Sequence, residues 1–363
     1  MKIDFIISYI WQLVFFQKIN SVIPIIYSDR LHAIKNKPVL AGDLGATKMN
    51  MALYNVSNGE LNVLSSKQYY CHEHTSMIEI VQLFMQELPE KPESICIGVA
   101  GAVIDNKADL LNLGWEVDGN EVHAATGISD VSLINDLEAN AYGLACLKDE
   151  DMIVINEGEA KQGNAAIIAP GTGLGEAGLF WDGKFYHPFA TEGGHSDFAP
   201  RTELDFELTK YFLRTEGIPS WDRIISGQGI HIIYNFLRDE KKFEEPEWLK
   251  KEFAEEDIAA AISEAALNNK AAICVETMQL FARYLARECS NLVLKMKAIG
   301  GLFIGGGIPP KIEPLIQTKI FIDNYLDCDR QQDLVSIVPI KLIKTDKAPL
   351  MGAAFYAACA PAL

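Results

Sequence analysis

The stretch LAGDLGATKMNMALY, Leu40 to Tyr54, sets an acidic residue, Asp43, between an apolar run and a turn made of Gly45, Ala46 and Thr47. An apolar run bounded by a small-residue turn reads as a strand entering a hairpin. From Pro38 onward the pattern is strand, tight turn, strand, turn, strand: VLAGDLG, KMNMALYNV and LNVLSSKQYY, with Asn58-Gly59 as the second hairpin signal. The same figure recurs at AAIIAPGTGLGEAGLFWDGKFYH, where Gly171, Gly173 and Gly175 make the turn and Asp182-Gly183 the hairpin. Two copies of one unit predict an α/β fold of two related lobes facing each other across a cleft.

Each turn has a physical reason to bind phosphate. Glycines let the backbone approach an anion, successive N–H groups form an anion nest, and Thr47 and Thr172 add hydroxyl donors. Asp43 cannot meet a phosphate directly without repulsion, so its natural partner is a hydrated Mg²⁺. Taken alone, G-T-G-x-G is also the pattern of an ordinary glycine-rich hairpin, and it gains meaning from the paired D-x-G-x-T. A third cluster, Gly305-Gly306-Gly307, follows the apolar run GGLFIGGG and precedes Ile308-Pro309-Pro310. A buried strand that delivers three glycines suits close approach of a nucleotide, or a strand-to-helix turn with Pro310 near the first helical position.

The candidate reactive groups lie between these turns. VSLINDLEANAYGLACL is an apolar strand from Val131 to Ile134, then Asn135-Asp136, then a helical stretch. Asp136 therefore stands where ligands gather in open α/β sheets, and equally where a helix N-cap would stand. ATEGGHSDFAP holds Glu192 and His195 on a glycine turn, acceptors and a donor suited to adjacent hydroxyls, as sugar binding requires. NLGWEVDG adds Asn112 as a further hydroxyl partner and Trp115 as a packing residue, and IISGQGI adds another glycine turn.

Composition narrows the partners. The chain has 363 residues, 49% hydrophobic, enough for two core-forming domains. Its formal charge of -17 repels a polyphosphate backbone, which argues against nucleic acid. Seven scattered cysteines without a C-x-x-C pair suit a reducing cytoplasm. Cys71-His72-Glu73-His74 is metal-like in composition, but it falls where a strand gives way to a helix capped by Thr75, a place for a solvated loop. Residues 1–37 are apolar and aromatic, yet Asp4, Gln12, Gln17 and Lys18 interrupt them short of a membrane span. They read as an appended segment rather than a membrane contact. The remainder divides into a small lobe of 38–146 with 346–363 and a large lobe of 147–345. LRDEKKFEEPEWLKK and the residues following it to Met296 read as consecutive helices with charged outer faces.

Taken together, D-L-G-A-T at 43–47, I-N-D at 134–136, G-T-G-L-G at 171–175, E-G-G-H-S-D-F at 192–198, S-G-Q-G at 226–229 and G-G-G-I-P at 305–309 resemble, in order, the motifs of bacterial ATP-dependent glucokinase. The resemblance covers the chain from about residue 38 to its end. It implies the actin-like, ribonuclease-H-like ATPase fold, two lobes closing on glucose and Mg-ATP, a glycolytic role in the cytoplasm, and a homodimer. Asp136 matches the family's catalytic base, and Asn135, Glu192 and His195 match its glucose contacts. Asp43, Gly45, Ala46 and Thr47 match the first phosphate motif, Gly171, Thr172 and Gly173 the second, and Gly305 to Gly307 the nucleotide turn.

Ala46 stands where the family commonly has glycine, and Asp222 where it has a further sugar-binding glutamate. A related group of repressors and kinases carries a cysteine-rich zinc loop after the same histidine. Here Ser196 to Pro200 follow and no cysteine occurs before Cys274, so no zinc is expected. A non-catalytic sugar sensor or repressor would need a DNA-binding domain, for which the extension is too short and insufficiently basic. A kinase for mannose, fructose or an N-acetylhexosamine is the other alternative, because hydroxyl-binding residues alone do not fix the epimer.

Overall fold

The computed structural model describes Ile25 and residues 37–57, 60–159, 161–255 and 257–359. The hairpin signal Asn58-Gly59 and, apart from Ile25 and Lys37, the N-terminal extension lie outside the described residues. Contacts divide the chain into two compact units: Met1–Met152 with Ala177–Ala190 and Thr345–Leu363, and Ile153–Glu176 with Thr191–Lys344. The grouping of the Ala177–Ala190 hairpin with the first unit has no local signature in the sequence.

In the first unit β1 (Pro38–Leu44), β2 (Lys48–Ser57), β3 (Glu60–Tyr70), β4 (Ser94–Val99) and β7 (Asp130–Asn135) form one sheet, ordered β3-β2-β1-β4-β7. The two hairpins pair antiparallel, and β1, β4 and β7 run parallel. β4 and the middle of β1 are buried throughout, as apolar strands covered on both faces should be. Asp43 lies beside Asn50 on one neighbour and Gly98 on the other, and Val99 pairs with Asn135. A small ribbon of β5 (Lys107–Leu110) and β6 (Trp115–Asp118) carries the turn that holds Asn112.

The helices of this unit follow their sequence signals with one shift. α1 (Met77–Gln86) buries Met77, Ile80, Val81 and Phe84, one stripe at helical spacing. Its cap is Ser76, whose side chain accepts from Glu79 N–H, not the expected Thr75. Thr75 instead donates its N–H and hydroxyl to the Glu79 carboxylate at 2.8 and 2.7 Å. α2 (Gly119–Thr126) ends at Gly127 with φ 67°, the left-handed cap glycine tolerates.

α3 (Asp136–Gly143) starts directly at the end of β7. The C-terminal helix Ala348–Cys359 lies on it so closely that a Cβ at Gly352 would collide with the Ala139 carbonyl, and one at Gly143 with the Ala348 carbonyl. Gly98 likewise leaves room for the start of α3 beneath Ala139 and Asp136.

The second sheet repeats the plan. β8 (Met152–Asn156), β9 (Ala165–Pro170), β10 (Leu174–Trp181), β11 (Tyr186–Thr191), β12 (Gly301–Ile304) and β13 (Ile340–Ile343) are ordered β11-β10-β9-β12-β13-β8, with β9, β12 and β13 parallel. As in the first sheet, three successive strands lie side by side and two later ones extend the sheet on the first strand's other edge. The Asp182-Gly183 turn forms as expected. Asp182 Oδ1 accepts the N–H groups of Lys184 and Phe185, both at 2.8 Å, and Gly183 has φ 100°.

Helices α4 (Glu203–Thr215), α5 (Gly227–Asp239), α6 (Ile258–Leu267) and α7 (Ala272–Met296) build the core of the second unit. Phe212, Phe236, Phe281, Tyr284 and Leu285 pack at its centre. Phe198, which ends the E-G-G-H-S-D-F motif, meets Trp221 and Tyr284 edge-on at 5.0 and 5.2 Å and anchors that motif in the core.

Candidate active site

Asp43 sits half-buried near the end of β1. Burial pushes its carboxyl above the ordinary value. The Asn50 amide, donating to Oδ2 at 3.2 Å, works against that rise, and the negative charge of Asp346 adds to it. Such a carboxyl gains most from a nearby cation. The turn after it is tight, with Gly45 N–H donating to Lys48 O at 3.0 Å. Cys71 braces it from the far side: its N–H donates to Thr47 O at 2.9 Å and its thiol to Gly45 O at 3.7 Å. Neither Gly45 nor Ala46 is among the left-handed residues, so the methyl of Ala46 brings no backbone strain.

Ala46, Thr47 and the exposed Asn112 share a cavity of about 370 Å³, with His72 and Trp115 on its wall. Trp115, read from sequence as a packing residue, is thus half-buried at a cavity edge. His74 is engaged with Glu79, its Nδ1 lying 3.1 Å from Oε1.

At the end of β7 the structure shows which of two neighbours caps the helix. Asn135, 7% exposed, is the helix cap. Its Oδ1 accepts from Leu137 and Glu138 N–H at 2.9 and 3.3 Å, and its Nδ2 donates to Gly101 O at 3.1 Å. Asp136 is the first helical residue, half-buried, with Oδ1 accepting from Leu137 N–H at 2.9 Å. Two residues on, burial raises the Glu138 carboxyl to about 7.

In the second unit the glycine motifs converge. Gly227 N–H donates to Gly171 O at 2.9 Å, and Gly305 N–H to Ile168 O at 2.8 Å. Gly306, at φ 85°, lies where a Cβ would collide with Pro170 O. Gly171, Thr172, Gly227 and Gly307 line one cavity of about 740 Å³. Gly173, Gly305 and Gly306 are not on its lining. Ser226 caps α5 through its hydroxyl, which accepts from Gly229 N–H. Sequence reading missed Lys311 and His231 on the same wall. Burial, then Arg238, lower the His231 imidazole and favour its neutral form. Only the position of Lys311 just past Gly-Gly-Gly-Ile-Pro-Pro could have signalled it.

Asp222, aligned with the family's further sugar-binding glutamate, has a structural contact as well. Its Oδ1 accepts Leu174 N–H at 2.7 Å and fills the space where Gly173 has no side chain. It therefore holds the G-T-G-L-G turn.

The E-G-G-H segment is a single 3-10 turn, Gly193–His195, seated on β10. A Cβ at Gly194 would collide with Leu174 O, and one at Gly193 with the Glu176 carboxyl. Glu192 and His195 turn outward, their side chains 60% and 66% exposed, with Oε2 and Nε2 3.9 Å apart. Outward-facing groups on a glycine turn buttressed from below suit capture of vicinal hydroxyls.

A family model described as glucokinase matches residues 40–360. A glucokinase of Trichormus variabilis is 38% identical over 337 residues, covering 88% of this chain and 98% of that one. Among solved structures, glucokinase from an Antarctic psychrotroph is 27% identical with a TM-score of 0.75, covering 89% of this chain and 99% of the other. A ROK family glucokinase from Streptomyces griseus, solved with glucose and AMPPNP, shares the fold at 20% identity and a TM-score of 0.61, covering 88% and 99%. The chain belongs to the glucokinase family.

Proposed function

We propose that this chain transfers the γ-phosphoryl group of ATP to the 6-hydroxyl of glucose, giving glucose 6-phosphate and ADP, with Asp136 as general base. The observation that carries the assignment is at the start of α3, where Asn135 makes the helix cap and Asp136 is the half-buried first helical residue at the end of β7. Asp136 accepts the hydroxyl proton as the sugar oxygen bonds to the γ-phosphorus and the bond from that phosphorus to the β,γ-bridging oxygen breaks. Because the transition state is loose, the protein's work is mainly positioning and neutralisation.

Within the first unit Asn112, Asn135 and Asp136 are the residues we assign to sugar hydroxyls, and within the second unit Glu192 and His195 are. Asn135 still has one amide hydrogen for this after its structural bonds. Gly171, Thr172 and Gly307 bind ATP at the cavity of about 740 Å³, with Lys311 as a cation on its wall. In the first unit Thr47 offers a further hydroxyl donor. Mg²⁺ fits beside Asp43, whose raised carboxyl has the negative Asp346 for company. When bound, the metal offsets phosphate charge.

The free cysteines, most of them buried, fit a reducing cytoplasm, and a homodimer is the expected assembly. Among the described residues no helix is long and apolar enough to cross a membrane.

ADP formation with Mg-ATP and glucose, alongside mannose, fructose and N-acetylglucosamine, tests the reading. Glucose-dependent turnover that falls about 10²- to 10⁴-fold in Asp136→Asn, with little change in glucose KM, is expected. A folded Asp136→Asn protein turning over within a few-fold of wild type refutes the base assignment. Absence of turnover with glucose refutes the activity.

A further inference from the structure

Glu176, the residue after G-T-G-L-G, is 1% exposed, and no donor group serves either of its carboxyl oxygens. Orphaned buried carboxyl oxygens are uncommon and call for an explanation. The neighbouring carboxyl is Glu288 of α7, which is 0% exposed. Glu288 accepts from Lys295 Nζ at 2.8 Å and from Asn291 Nδ2 at 2.7 Å. Two ionised carboxylates beside one ammonium would leave an unneutralised charge in the interior, at a cost of several kcal/mol. One proton between them removes that charge and makes Glu176 a donor to Glu288. Burial, then the Glu288 charge, push the Glu176 carboxyl up in the same sense, while Lys295 opposes them. The buried Cys289 thiol, raised by burial and by the charges of Glu288 and Glu176, is the other titratable group facing the pair.

Glu176 also touches the sugar turn. Its carboxyl occupies the space a side chain at Gly193 would need. Its carbonyl accepts from Thr191 Oγ1 at 2.8 Å, and that hydroxyl accepts from Gly193 N–H at 3.2 Å. The Glu192–His195 turn thus rests on both the backbone and the side chain of Glu176.

We propose that Glu176 is a positioning residue for sugar recognition: held as the carboxylic acid against Glu288, it fixes Gly193 and thereby the carboxylate of Glu192 and the imidazole of His195. The proposal rests on the reading of the E-G-G-H turn as the sugar turn. When Glu176 loses its proton, the two carboxylates repel and the support under Gly193 shifts.

The test is steady-state kinetics of the full chain carrying Glu176→Gln, Glu176→Ala or Glu192→Gln, from pH 6.5 to 9, with folding checked by circular dichroism. Glutamine keeps the shape and the donor, so it should match wild type near pH 7 and keep glucose KM flat to pH 9. Wild-type glucose KM should rise about three- to ten-fold over the same range. Glu176→Ala should raise glucose KM about ten-fold at neutral pH and leave ATP KM within about two-fold. A folded alanine variant with unchanged glucose KM, or a glutamine variant with the same pH profile as wild type, overturns the proposal. If alanine prevents folding, the glutamine profile decides alone. Glu192→Gln separates the two readings: unchanged glucose KM there refutes the sugar turn itself, whereas raised KM there with no Glu176 effect refutes only the positioning role.

Discussion

Leu174 donates its backbone N–H to Asp222 Oδ1 at 2.7 Å, which ties a short helix of the second unit to the G-T-G-L-G turn across 48 residues of sequence. A bond from a buried amide to a carboxylate contributes about 1.5 to 3 kcal/mol. Asp222→Ala is therefore expected to raise ATP KM about ten-fold, and Asp222→Asn, which keeps an acceptor, to raise it less. Measuring both KM values decides the residue's role. A rise in glucose KM with ATP KM unchanged would show that Asp222 acts on the sugar instead.

The contact of Gly352 with the Ala139 carbonyl sets how closely the C-terminal helix lies on α3. Gly352→Ala puts a methyl where there is no room, which costs about 1 to 3 kcal/mol if the helices separate to admit it. A lower Tm together with a lower kcat is expected, since α3 carries Asp136 at its first position. Calorimetry and initial rates check both, and an unchanged Tm would mean the helices are free to shift.

Asp43 has a carboxyl raised by burial, so folding is favoured when it is neutral and opposed as pH rises through its folded value. Asp43→Asn removes that penalty. Without metal, the variant should be more stable than wild type at pH 8, yet require at least about ten-fold more Mg²⁺ for half-maximal activity. A Mg²⁺ titration at fixed ATP that overlays the wild-type curve would remove Asp43 from the metal site.

Glu138 offers a cleaner pH signature. Its carboxyl moves from an ordinary 4.5 to about 7 through burial. Below 4.5 it is neutral in both folded and unfolded chains, so its contribution is fully present. Between those values the unfolded chain ionises first, the folded chain binds the extra proton, and stability falls as pH rises. Glu138→Gln should flatten that part of the Tm profile and raise Tm by a few degrees at pH 8. Parallel profiles for the two proteins would exclude the effect.

Much of the fold and part of the site were legible because their signals are local. Small residues at 45 to 47 and 171 to 175, the Asp182-Gly183 turn and the apolar runs before them specify strands and hairpins within a few residues of sequence. Asp136 was legible by place, at the junction of strand and helix, and as a base only through the family resemblance. Only the hydrogen bonds of Asn135 show which of the two neighbours makes the cap. The expected Thr75 cap moved by one residue for a similar reason: Ser76 and Glu79 satisfy the first turn, and Thr75 binds the Glu79 carboxylate from outside it.

The sequence by itself determined the doubled strand-and-turn plan, the order of the glycine motifs and the acidic residue at each key junction. These follow from backbone preferences and hydrophobic period, which act over short distances along the chain. Only the tertiary structure decided that Asp222 holds a turn, that Lys311 reaches the large cavity, that Gly352 seats α3, and that Glu176 lies under Gly193. Each of these depends on partners far apart in sequence meeting in a packed interior, where the absence of room and the cost of an unpaired charge select the contact.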